Sequence, residues 1–115
     1  MFQDKMVLCA SSAYEKKFYL NENFEGLPQH VKDELKIMCV LFTEDIGGVL
    51  SLEFDENGNL ELNTSADEGD LLYDEIGSVL KIKQMQQEKQ ELFESLETYY
   101  KVFFLGEDIE DDNGD

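Results

Sequence analysis

The chain has 115 residues, carries 27 Asp and Glu against nine lysines, lacks arginine and tryptophan, and has a formal net charge of −18. With 42% hydrophobic and 11% aromatic residues it holds enough apolar material for one core, which argues against whole-chain disorder. So much negative charge without a basic patch argues against nucleic acid or an anionic membrane surface as partner, and leaves basic or largely apolar proteins.

Two short apolar stretches, Met6 to Ala10 and Phe18 to Leu20, read as strands joined through Ser11 to Lys17, and residues 21 to 26 read as loop. Pro28 precedes a pattern in which Val31, Leu35, Met38 and Phe42 recur at helical spacing, so helix one is predicted from 28 to about 44. Ile37, Val40 and Leu41 widen that apolar face and predict a C-terminal half that is largely buried, with Gly47-Gly48 as the stop. Cys9 and Cys39 both lie in apolar surroundings, where a reduced cysteine behaves as a small core residue.

Leu50, Leu52 and Phe54 alternate with Ser51, Glu53 and Asp55, and after Glu56-Asn57-Gly58 the alternation resumes at Leu60 and Leu62. The pattern is a hairpin with one apolar face. A two-residue Asn57-Gly58 turn would oppose Phe54 to Glu61, whereas a three-residue loop opposes Phe54 to Leu60 and Leu52 to Leu62, which predicts a type I turn with Gly58 left-handed.

Ser65-Ala66-Asp67-Glu68 has the spacing of a capping box and predicts the start of helix two. Its apolar positions run through Leu72, Ile76, Val79 and Leu80, weaken from Lys81 to Glu91, and recover at Leu92, Phe93, Leu96, Tyr99, Tyr100, Phe103 and Phe104. Ile82, Met85, Leu92, Leu96, Tyr99 and Phe103 fit heptad positions and predict a homodimer through one long helix. The competing readings are a break near Gly77 or at 83 to 87, and a terminal strand over 100 to 104.

The plan is one α+β domain over 1–106 in the order ββαββα, an antiparallel sheet of about four strands with two helices on one face, the second long. An acidic tail over 107–115 is predicted to be disordered.

Little in the sequence carries catalytic chemistry. His30, the sole histidine, falls in the first turn of helix one and reads as a solvated surface imidazole. Gly47-Gly48 precedes a strand instead of the helix N-terminus that a phosphate loop needs. Asp55-Glu56-Asn57-Gly58-Asn59 imitates the start of a calcium loop, but Leu60 stands where glycine is required and Ala66 where glutamate is required, so a hairpin turn explains it better. No catalytic, cofactor or metal residues are assigned. No apolar run reaches the ~18 residues that span a bilayer, and the N-terminus lacks a signal-peptide pattern, so a cytoplasmic protein is expected.

Charge is regional. Between Lys36 and Lys81 there are eleven carboxylates and no base, and the tail adds six more. Glu53, Asp55, Glu61, Asp67, Glu68 and Asp70 are predicted to form one acidic surface, read either as a solvated face that keeps the protein soluble or as the place where a basic protein docks, as an inhibitor, chaperone or nucleic-acid mimic would use it. The alternative is an enzyme or small-ligand binder with carboxylates beside Tyr14, Tyr19 or Tyr73 in a sheet–helix pocket.

The segments 13–21 (AYEKKFYLN), 34–48 (ELKIMCVLFTEDIGG), 68–83 (EGDLLYDEIGSVLKIK) and 99–108 (YYKVFFLGED) resemble a family of small acidic bacterial proteins known as a domain of unknown function. The resemblance implies a stand-alone cytosolic protein and carries over no functional residues. In composition and element order alone the chain is also similar to type III secretion chaperones, which are small, acidic and dimeric.

Overall fold

The computed structural model describes residues 5–107. Its elements are β1 (Met6–Ser12), β2 (Lys17–Leu20), a 3-10 turn (Glu22–Phe24), α1 (Gln29–Ile46), β3 (Val49–Phe54), β4 (Leu60–Ser65), α2 (Glu75–Glu88) and α3 (Gln90–Phe103). The order is therefore ββαββαα, with the 3-10 turn after β2, and not ββαββα. The four strands form one antiparallel sheet in the order β2-β1-β3-β4.

The hairpin register follows from side-chain alternation. Phe54 opposes Leu60 and Leu52 opposes Leu62, while Leu50, Leu52 and Phe54 are fully buried on the inner face. Gly58 takes φ +88, its N–H reaches the Asp55 carbonyl at 3.0 Å, and the Asp55 N–H donates to the Asn59 carbonyl at 2.9 Å. The loop thus spans Glu56, Asn57 and Gly58. Between 21 and 26, where a loop was predicted, Asn21 caps the 3-10 turn by accepting from the Asn23 N–H, and its own amide donates to the Val7 carbonyl at 2.7 Å.

Leu35, Met38, Cys39, Phe42 and Ile46 form the buried stripe of α1 and lie against Leu8, Cys9, Leu50 and Leu52. Ile37 and Leu41 do not join that stripe. They are 59% and 56% exposed, because α1 meets the sheet along one side only and α2 covers another. Cys9 and Cys39 are buried free thiols with sulfurs 4.0 Å apart, and the Cys39 contact together with burial drives the Cys9 thiol far above its ordinary pKa.

The predicted long helix is two helices. Lys89 leaves helical geometry at φ −110, ψ 23, and its side chain reaches Glu34 at 2.8 Å. A straight helix over 75–103 would run about 43 Å, too long for both halves to lie on this sheet. Instead α2 packs along α1, with Lys81 near Asp45 at 3.8 Å, and α3 turns to cover the hairpin end. There Tyr100 stacks on Phe54 at 4.3 Å with rings 3° from parallel, and Phe24 and Phe104 complete the stack. The segment 100–103 is helix, not strand, since this packing needs Leu96, Tyr100 and Phe104 on one helical side.

The capping box at Ser65 is not used. Ser65 remains in β4 opposite Val49, and α2 starts ten residues later, where the Asp74 carboxylate accepts from the Gly77 N–H at 2.8 Å. The tail prediction lies outside the described residues except for Glu107, whose N–H donates to the Lys101 carbonyl at 2.9 Å.

Gly48 fixes the corner between α1 and β3. Its φ is +71, and a Cβ there would stand 2.5 Å from the Ser65 carbonyl oxygen and 2.8 Å from the Tyr73 ring. Gly48→Ala is expected to lose about 3 kcal/mol of stability, whereas Gly69→Ala, at φ +84 in open space, loses only about 1 kcal/mol. Urea denaturation of the two variants checks this, and equal losses would show that the clash does not matter.

Candidate functional site

The six predicted docking carboxylates fall into two groups. Glu53 and Glu61 face each other across β3 and β4, Glu61 accepts from Lys5 at 2.9 Å, and Glu53 accepts from the Ser51 hydroxyl at 2.7 Å. Asp55 is consumed by the turn. Its carboxylate accepts the Asn57 and Asn59 N–H groups, each at 2.9 Å, and these hold its pKa below the usual carboxylate range, the Asn59 bond contributing most. Asp67, Glu68 and Asp70 lie beyond the other end of β4, roughly 20 Å from Glu61 at an extended rise. The structure therefore does not join the two groups into one surface.

The second group sits in a loop from 66 to 74 with a defined scaffold. Tyr14, in the turn between β1 and β2, accepts from the Asp67 N–H at 2.9 Å and donates to the Asp70 carboxylate at 2.5 Å. Asp70 also accepts from the Leu72 N–H at 2.9 Å. The Asp74 N–H donates to the Ile46 carbonyl at 3.2 Å, and the Tyr73 hydroxyl bonds the buried Ser78 hydroxyl at 2.9 Å. The loop is thus fastened at both ends to the corner formed by Ala13–Lys16 and Gly47–Gly48.

What the fastened loop displays is apolar. Leu71 and Leu72 are 94% and 90% exposed, and Ile76, Val79 and Leu80 continue the surface along α2. The sequence pattern assigns Leu72, Ile76, Val79 and Leu80 to a buried helix face. In the structure α2 instead turns Ser78, Ile82 and Met85 inward, and the remaining apolar positions point away from the core. Asp67, Glu68, Asp70 and Glu75 line an open recess of about 1010 Å³ together with Leu71, Tyr73, Ile76 and Val79. No signal in periodicity marks this site, because it arises where a helical pattern fails to be helical.

The heptad positions are distributed differently. Met85 and Leu96 are buried in the chain's own core, and Ile82, Leu92 and Tyr99 pack partly against it. Phe103 is 70% exposed, and Lys89 interrupts the run, so no continuous seam over 82–103 faces outward. Of the three tyrosines considered for a carboxylate pocket, only Tyr14 bonds a carboxylate, and both groups are at the surface. His30 is exposed, and among the described residues no group of three His, Cys, Asp or Glu is placed to hold a metal ion. No helix of the described residues is long and apolar enough to cross a membrane.

The Tyr14–Asp70 bond lowers the Asp70 pKa and raises that of Tyr14. Its contribution from Asp70 is present above the ordinary value of 3.8 and is lost as pH falls through the lowered folded value. The contribution from Tyr14 is present below 10.0 and is lost as pH rises through the raised value. Amide shifts of Asp67 and Leu72 are therefore expected to stay constant from about pH 5 to about pH 9. Tyr14→Phe should lower hydrogen-exchange protection in 67–72 while leaving the urea midpoint unchanged; unaltered protection would remove Tyr14 as the fastening.

No curated protein and no solved structure matches the chain. A family model described as a family of unknown function (DUF6145) matches residues 5–108, which takes in the whole described length. The resemblance of the segments 13–21, 34–48, 68–83 and 99–108 thereby has a defined source, and the chain belongs to the DUF6145 family.

Proposed function

We propose that the protein is a non-enzymatic interaction module that binds a basic, amphipathic segment of another protein at the loop 66–74 and the first turns of α2. The observation that carries this reading is the pair Leu71 and Leu72, almost wholly exposed on a loop that hydrogen bonds hold in place. Exposing leucine costs solvation, and contiguous apolar surface rimmed by charge is the usual signature of a contact site. The rim is carboxylate, so its complement is lysine or arginine flanking an apolar stripe. Catalysis by these carboxylates has less support. Asp70 is pushed away from the pH range of a general acid, and the centre of the sheet–helix interface is filled by Leu8, Leu35, Phe42, Leu50 and Leu52.

A labelled amphipathic helix of Lys and Leu, compared by anisotropy with a scrambled peptide of the same composition, tests the reading. The amphipathic peptide is expected to bind at low salt, to shift the amides of 67–80, and to be released by about 0.5 M salt. Leu71→Ser with Ile76→Ser is expected to weaken it about tenfold, roughly what two exposed apolar side chains contribute at a contact. Equal affinity for the scrambled peptide means that charge alone acts and sinks the proposal. So does a homodimer by light scattering that these two substitutions dissociate, because the occupant is then a second copy.

A further inference from the structure

The lysines divide into two classes. Lys5, Lys32, Lys81 and Lys89 each lie within 4.0 Å of a carboxylate and brace one segment to another. The other five have no carboxylate partner among the described residues, although acids outnumber bases threefold in this chain: Lys83 and Lys101 lie on α2 and α3, and the remaining three are Lys16, Lys17 and Lys36. All three line one cavity of about 660 Å³, between the β1–β2 turn and the outer side of α1. Lys16 is held at φ +56, the only described non-glycine residue in the left-handed region, by its N–H bond to the Ser12 carbonyl at 2.8 Å. That conformation places two consecutive lysines at the rim.

The cavity floor differs from its rim. Phe18, Val40, Ile46 and Leu72 supply apolar walls. The Ser11 and Thr43 hydroxyls at the base are buried and bonded to each other at 2.9 Å, and Thr43 lies in reach of the Cys39 and Val40 carbonyls of its own helix. Those hydroxyls are satisfied internally, so the charge available to a ligand is that of the three ammonium groups. Glu44 and Asp45 also line the cavity, from the same helix as Lys36, with Asp45 engaged by Lys81. The volume falls within the range of small-molecule sites.

We infer that this cavity is a binding site for an amphipathic small anion, its carboxylate or phosphate head held by Lys16, Lys17 and Lys36 and its apolar body lying on Phe18 and Val40. The site shares Leu72 with the acidic loop, but its ammonium groups lie on other elements, and neither reading needs the other.

The test is titration of the full chain, followed by amide shifts, with decanoate, 1-naphthyl phosphate, inorganic phosphate and neutral 1-naphthol. Saturable shifts are expected at Lys17, Phe18, Val40 and Glu44 with one of the two amphipathic anions, whichever of carboxylate or phosphate the site prefers. 1-Naphthol and inorganic phosphate should each bind at least about tenfold more weakly than that anion, since each lacks one half of the recognition. Replacing all three lysines by glutamine is expected to weaken the preferred anion by about tenfold or more, and replacing them by arginine to retain it. The lysines are exposed, so the fold should survive, and the arginine variant controls for it. No saturable shift up to about 2 mM of either amphipathic anion overturns the inference. So does binding that survives the glutamine variant, or shifts confined to 67–80.

Discussion

A four-stranded antiparallel sheet covered on one face offers a limited area, and this chain carries more apolar helix than that area can hold. α1 takes the centre of the sheet through Leu35, Cys39 and Phe42, and α3 takes the hairpin end through Tyr100 on Phe54. What is left for α2 is one narrow stripe, Ser78, Ile82 and Met85, against α1 and the sheet margin. The break at Lys89 follows, since α2 and α3 must lie on different parts of the molecule. So does the exposure of Ile37, Leu41, Leu71, Leu72, Ile76, Val79 and Leu80, for which no inner surface remains.

Local constraints were legible in the sequence and competition between elements was not. The hairpin register depends on alternation and on one glycine able to take positive φ, both contained between Leu50 and Leu62, and it could be read directly. The start of α2 could not. Ser65 and Glu68 satisfy the capping spacing, but Ser65 already belongs to β4, and sheet pairing outweighs a cap of about 1 kcal/mol. Asp74 and Gly77 form the working cap, with Gly77 free of a Cβ that would strike the Asp74 carboxylate, a signal that a search for Ser or Thr with Glu does not detect. Tyr14 is 53 residues from Asp67 and 56 from Asp70, so nothing local announces that it fastens their loop.

Net charge, too, reads differently by position. Glu53 directly opposite Glu61 is unfavourable by itself, and Lys5 and Ser51 partly relieve it, which makes that pair a matter of sheet stability more than recognition. Asp55 spends its charge on the turn. Of the six docking carboxylates, only Asp67, Glu68 and Asp70 combine a fixed backbone with neighbouring exposed apolar surface. Acidity over the chain as a whole therefore does not locate a site; the coincidence of acid with unburied leucine does.

A strongly negative protein is on average a poor host for an anion, and screening limits how far that average acts. At physiological ionic strength exposed charges more than about 8 Å apart are largely screened from each other, so the three ammonium groups at the rim outweigh carboxylates elsewhere on the surface. Both candidate sites border the same loop: Leu71 lines the acidic recess, Leu72 lines the lysine-lined cavity, and Tyr14, two residues before Lys16, fastens the loop at Asp67 and Asp70. A ligand that shifts Leu72 must act on the backbone that carries Leu71. Linkage is reciprocal, so whatever free energy an anion in the cavity lends to or takes from a partner on the loop, the partner returns to the anion in equal amount.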